Sequence, residues 1–158
     1  IKVPAIVRFG DIPYKGNIDN KMFTVKDITP TLLELAGVTH PGNEYKGRKV
    51  YPITGRSALS HLKEIELDVH GQEVLHTWEF WGRQAVRKGD WKMVKQAPPY
   101  GQGQWELYDL ALDPTETNNL SSQNPKKISE LLSNWEEYKN NNNIIMGING
   151  ENIYAYPK

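Results

Sequence analysis

Between Leu75 and Asp109 apolar and polar positions alternate in four short runs, LHTWEF, RQAVR, WKMVK and QWELYD. A period of two is the signature of a strand, because successive side chains of an extended chain point to opposite faces. The runs predict strands at Leu75–Phe80, Arg83–Arg87, Trp91–Lys95 and Gln104–Asp109, joined as a four-stranded antiparallel meander. Lys88-Gly89-Asp90 reads as a tight hairpin turn, since Gly supplies a positive φ and Asp bonds its own backbone. The link Gln96–Gly103 holds two prolines and two glycines and reads as a surface loop. Trp78, Phe80, Trp81, Trp91, Trp105, Leu107 and Tyr108 give the sheet a large apolar surface. Burying each such side chain is worth about 1.5–3 kcal/mol, so one face calls for a cover.

Downstream the period changes to that of a helix. Ile128, Leu131, Leu132, Trp135 and Tyr138 form one apolar stripe, preceded by Asn124 as N-cap and Pro125 at the first helical position. This helix is predicted to pack across the sheet. The asparagine run Asn140–Asn143 ends it, and Ile144–Lys158 follows as a tail.

Upstream, Val3–Phe9 is β-branched and apolar on both faces, the pattern of a strand buried inside a sheet covered on two sides. Gly10–Asn20 is rich in turn residues and Lys21–Val25 reads as a short extended piece. From Lys26 the text KDITPTLLELAGV predicts a helix capped by Asp27 or Thr29, with Pro30 in its first turn and Gly37 at its end. Leu32, Leu33 and Ala36 share the face that would lie on a large sheet. Gly42–Arg56 reads as loop, Ser57–Leu62 as a helical turn or two, and Glu64–Gln72 as a polar linker between two halves.

Composition narrows the function classes. The 158 residues carry 19 basic and 19 acidic side chains, a balance that argues against a general nucleic-acid or polybasic membrane role. The longest apolar run, Ala5-Ile6-Val7, is far short of the roughly 20 residues of a membrane span. The sequence opens on Ile1 without an initiator Met, so the expectation is a fragment of a longer protein. The absence of cysteine excludes disulfides and thiolate metal sites and fits either a cytoplasmic or a periplasmic setting.

Candidate chemical groups divide into a few sets. Asp19-Asn20 imitates an oxygen-ligand pair, but in a loop of Gly and Asn it reads as a turn. His40, His61, His70 and His76 lack metal-ligand spacing and read as surface histidines. Glu106 and Asp109 are expected to face solvent or to pair with Arg83, Arg87 or Lys92 across the sheet. Asp113 reads as the anchor of a turn that bonds backbone amides.

The order AVRKGDWKMV, then WELYDLALDPTETNNL, then a helix opened by proline resembles the C-terminal subdomain of the type I sulfatases, the arylsulfatase family on the alkaline-phosphatase-like fold. VPAIVRF followed by KDITPTLLELAGV resembles the last strand and helix of their catalytic domain. The fold class expected is therefore α+β. It comprises the end of an alkaline-phosphatase-like α/β domain (residues 1–63), an antiparallel sheet packed against a C-terminal helix (64–143) and a tail (144–158). The resemblance implies that the parent protein hydrolyses sulfate monoesters of aryl groups or carbohydrates. Its nucleophile would be a formylglycine made from Cys or Ser in a Cys/Ser-x-Pro-x-Arg motif, and Ca²⁺ its Lewis acid.

None of that machinery falls within these residues. There is no cysteine, and Ser57, Ser60, Ser121, Ser122, Ser129 and Ser133 all lack the Pro and Arg of the motif. The family's paired Asp-Asp is absent, Asp19-Asn20 lies after the strand that its Asp-Asn pair should precede, and Lys2 lies within that strand rather than before it. The expectation is no catalytic and no metal-binding residue in this chain, an inactive fragment, and the N-terminal catalytic portion as its partner. In the resembling family the start of the meander leans toward the active-site mouth, so His76, Thr77, Trp78, Glu79 and Arg83 are candidates for a substrate rim. Two other readings compete. One is a phosphatase or phosphonate monoester hydrolase of the same superfamily, and the other is a free-standing carbohydrate-binding module using Trp78, Trp81 and Tyr100.

Overall fold

The computed structural model describes residues 3–8, 10, 16, 18–65 and 68–145, so the tail from residue 146 onward lies outside the described residues. The chain divides into two compact units, Ile1–Gly71 and Gln72–Lys158.

In the first unit a single 3-10 turn, Val25–Asp27, leads into helix α1, Ile28–Leu35. Gly37, at φ 65°, ends the helix, and the Val38 amide donates to Leu33 O at 2.9 Å. A small hairpin follows, β1 (Glu44–Tyr45) and β2 (Arg48–Lys49), turning at Lys46 and Gly47, which both have positive φ. It forms where the sequence reading placed only a loop. Helix α2 is a single turn, Leu59–Leu62. Gly55 is required by close approach, since a Cβ there would lie 2.0 Å from Lys26 O.

One expectation for this unit is corrected. Residues 3–8 form no strand, and Ile6 is 98% exposed. A strand apolar on both faces exists only where neighbours supply its hydrogen bonds and two covering layers, and no described strand lies alongside it. Helix α1 buries Thr31, and Leu32 and Ala36, on the face expected to meet a sheet, are exposed. Ile28, Leu32 and Leu35, spaced i, i+4 and i+7, stay exposed as an apolar stripe, and among the described residues no sheet lies beneath it.

The second unit is the predicted meander: β3 (Leu75–Phe80), β4 (Arg83–Lys88), β5 (Trp91–Lys95) and β6 (Trp105–Asp109), antiparallel in the order β3-β4-β5-β6. Helix α3, Pro125–Asn141, covers one face. Asn124 holds the N-cap position, but its side chain donates back to Leu120 O rather than capping the helix. The core between sheet and helix is Val86, Met93, Leu107, Leu131 and Trp135, with Trp105 edge-on to Trp135 at 5.8 Å.

Register decides which aromatic residues join that core. Thr77, Val86, Met93 and Leu107 form one cross-strand row, and Trp78, Ala85, Val94 and Glu106 the next, pointing the opposite way. Trp91, Trp105 and Leu107 therefore face α3, whereas Trp78 and Tyr108 pack with Ala85 and Val94 on the other face. The expected cover for one face is α3, and the aromatic residues divide between the two faces.

The outer side of β6 is satisfied from the chain itself. Leu107 N donates to Asn119 Oδ1 at 3.1 Å, and Leu120 N to Leu107 O at 2.8 Å. Asp113 shapes the loop that returns to this edge, accepting from the Thr117 and Asn118 amides at 2.7 Å each. The Asn118 amide is the largest influence holding its carboxyl below the usual range. The turn reading of Asp113 agrees with this placement.

Candidate functional site

The candidate rim residues fall on the β3–β4 hairpin. Its Cα partners run from Leu75↔Lys88 to Phe80↔Arg83, leaving Trp81 and Gly82 as a two-residue turn. Both turn residues have positive φ, 52° and 78°, as a type I′ turn requires. Gly82 suits this conformation, whereas a tryptophan in it is unusual.

The alternation of β3 separates the four rim candidates. His76 and Trp78 project to the face opposite α3, with ring centroids 6.2 Å apart and planes 22° from parallel. His76 is buried and Trp78 half-buried. Glu79 projects to the other face, where its Oε1 accepts from the Gly82 amide at 2.8 Å and holds the turn. Arg83 is exposed, and its guanidinium lies 4.7 Å from the centre of the Tyr100 ring. The structure thus groups His76, Trp78 and Arg83 on one face and gives Glu79 a structural task.

Next to Arg83 stands a feature that the sequence reading met only in part. Phe80 and Trp81 stack with planes 5° apart and centroids 5.2 Å apart, and they are 62% and 50% exposed. Trp81 and Tyr100 were legible as aromatic residues near turns. Trp81 meets Phe80 at the hairpin turn, and Tyr100 meets Arg83 from the loop between β5 and β6.

The remaining charged groups are engaged elsewhere. Lys92 is buried and donates to Glu116 Oε1 at 2.5 Å, and Arg87 Nε donates to Gly89 O at 2.8 Å. Glu106 accepts from the Tyr108 hydroxyl at 2.5 Å, and burial together with this carboxylate pushes the hydroxyl pKa up. Asp109 accepts from the Ala111 amide. The expected pairing of Glu106 or Asp109 with Arg83, Arg87 or Lys92 is corrected, because these acids stand opposite Val94 and Trp91 in the ladder.

In the first unit the reading of the histidines as surface residues is corrected, since His40, His61 and His70 are all partly buried and each has a hydrogen-bond partner. The His70 side chain is 7% exposed and contacts Asp27 Oδ2 at 2.8 Å, while His61 contacts Asp19 Oδ2 at 2.5 Å. His40 accepts from the Gly42 amide. Asp19 Oδ1 also accepts from the Lys21 amide, two residues on, which is the turn that the sequence predicted.

Among the described residues no group of three or more His, Cys, Asp or Glu side chains is gathered for a metal ion. Calcium takes roughly six to eight oxygen ligands, and Asp19, the one carboxylate of an Asp-Asn pair, is already bound to His61 and Lys21. The donor set here does not fit that ion. Among the described residues no helix is long and apolar enough to cross a membrane.

A four-stranded meander covered by one long helix is a fold that this chain shares with solved structures. A solved structure described as a 2-O GAG sulfatase superposes with TM-score 0.53 over 75% of this chain and 25% of its own, at 23% identity. The chain belongs to the family described as N-sulphoglucosamine sulphohydrolase, C-terminal, whose sequence model matches residues 1–141. An uncharacterised sulfatase of Schizosaccharomyces pombe is 35% identical over 150 residues, 92% of this chain and 26% of that protein. An N-acetylglucosamine-6-O-sulfatase of Bacteroides thetaiotaomicron is 26% identical over 152 residues, 89% of this chain and 26% of that protein. The chain thus spans about a quarter of the length of these curated relatives.

Proposed function

We propose that the protein carrying this chain hydrolyses sulfate esters or sulfamates of carbohydrates, and that this chain is its C-terminal region. The observation that carries the reading is the family match over residues 1–141, in which the chain corresponds to only a quarter of each relative. A formylglycine nucleophile and a Ca²⁺ ion would supply the sulfate chemistry, both held by residues outside this chain. What the chain contributes is support. Residues 1–63 complete the large α/β domain, with the exposed stripe Ile28, Leu32 and Leu35 as the surface laid on its sheet. Residues 64–143 form its C-terminal subdomain.

Trp78 and Arg83 are proposed to lean on the non-sulfate part of the substrate, with the buried His76 stacked against Trp78. An aromatic ring beside a cation suits a sugar bearing negative charge. By this reading the isolated chain is inactive. The test incubates the full-length protein with glucosamine N-sulfate and N-acetylglucosamine 6-sulfate and measures inorganic sulfate. Release from either is expected. Release of phosphate from a phosphate monoester, with no sulfate released, would reassign the protein to the phosphatase branch.

A further inference from the structure

Arg83 opens β4 on the face that also carries Trp78, and among the described residues it pairs with no carboxylate. Neighbouring cations of the sheet are engaged: Arg87 Nε donates to Gly89 O, Lys88 meets Glu73 and Glu130, and Lys92 meets Glu116. Arg83 has Tyr100 instead, its guanidinium 4.7 Å from the ring centre. The loop between β5 and β6 fixes where that ring stands. The Gly103 amide closes the loop by donating to Gln96 O at 2.8 Å, while the Tyr100 and Gly101 amides donate to Ala97 O at 3.1 and 3.2 Å. Glycine is required at position 101, since a Cβ there would lie 2.6 Å from Gln96 O. A guanidinium held against an aromatic ring is oriented before a ligand arrives, and its N–H groups stay available to an oxyanion.

We propose that Tyr100 positions Arg83 to receive a second sulfo group of the substrate, carried on the sugar in addition to the one that is hydrolysed. The inference rests on the proposed function above and specifies the negative charge that Trp78 and Arg83 meet there. Arg83 touches the sugar, and Tyr100 acts through Arg83. The guanidinium fork matches two oxygens of one sulfo group, whereas an ammonium offers a point charge, so this position selects geometry as well as sign. A sugar with a single sulfo group leaves the fork unmatched and is the poorer substrate.

The test measures inorganic sulfate released by the full-length protein from glucosamine N-sulfate, N-acetylglucosamine 6-sulfate and glucosamine N,6-disulfate. Its readout is the ratio of kcat/KM for the disulfated sugar to that for the monosulfated sugar that is cleaved. Wild type is expected to favour the disulfated sugar about tenfold, and Arg83→Gln to bring the ratio close to one. Tyr100→Ala should lower the ratio about threefold, and Tyr100→Phe, which keeps the ring, should hold the wild-type value. A role of Tyr100 in folding alone would lower both kcat/KM values together and leave the ratio where it was. The inference is overturned by a wild-type ratio near one, by an unchanged ratio in Arg83→Gln, or by an unchanged ratio in Tyr100→Ala. Release from none of the three sugars counts against the proposed function and takes this inference with it, whereas release without preference overturns this inference alone.

Discussion

Asp27 Oδ2 lies 2.8 Å from His70 Nε2, across 43 positions of sequence, and the aspartate is wholly buried. The same carboxylate accepts from the Thr24 amide at 2.7 Å, the Thr24 hydroxyl at 2.8 Å and the Arg56 amide at 2.9 Å. Burial pushes its pKa up, but the bonds from His70, Arg56 and Thr24 outweigh burial and hold it below the ordinary 3.8. A carboxyl depressed in the folded state contributes stability that is complete above its unfolded value and lost as pH falls through the folded one. The first unit is therefore expected to weaken below about pH 4. Asp27→Asn should cost about 2–4 kcal/mol at neutral pH and flatten the acid limb. Thermal midpoints of both proteins across the acid range check this, and an unaltered acid limb in the variant would refute it.

Lys92 is buried within β5, and its ammonium meets Glu116, which sits at φ 59° in the loop returning to β6. Removing the acid leaves a charge with little water around it. Glu116→Ala is expected to destabilise the second unit by about 1–3 kcal/mol. Glu116→Ala together with Lys92→Met should recover most of the loss. Urea denaturation of the two variants tests this, and a double variant as weak as the single one would contradict it.

Trp81 bears the opposite sign. Replacing it with Asn relieves a left-handed tryptophan at the hairpin tip, and a gain of about 0.5–1 kcal/mol is expected. A loss of stability on chemical denaturation would mean that the indole packs more productively than its exposure indicates.

Trp135 is 2% exposed and closes the core that holds α3 on the sheet. Trp135→Ala should cost about 3–5 kcal/mol. Amide exchange in β4 and β5 should accelerate with it, because that face of both strands loses its cover. Exchange rates equal to wild type would show that the helix is not what protects the sheet.

The meander was legible because its causes are local. Alternation over LHTWEF and WKMVK, and the glycine between Lys88 and Trp91, set the strands and their hairpin within a few residues of one another. Helix α3 was legible for the same reason, its stripe reappearing as Leu131 and Trp135 in the core. The small hairpin at Glu44–Lys49 escaped notice because its strands are only two residues long, too short for any period to show.

By itself, then, the sequence determined the four strands of the meander, the covering helix and the resemblance to the sulfatase family, all of which rest on short-range pattern or on motifs read in line. Tertiary structure alone decided which side of the sheet each tryptophan takes, that His70 is buried on Asp27 rather than exposed, and that Phe80, Trp81 and Arg83 meet at one tip. Those outcomes depend on contacts between residues far apart or on opposite strands. Residues 3–8 show the same division, since they favour a strand but only neighbouring strands supply the hydrogen bonds that make one.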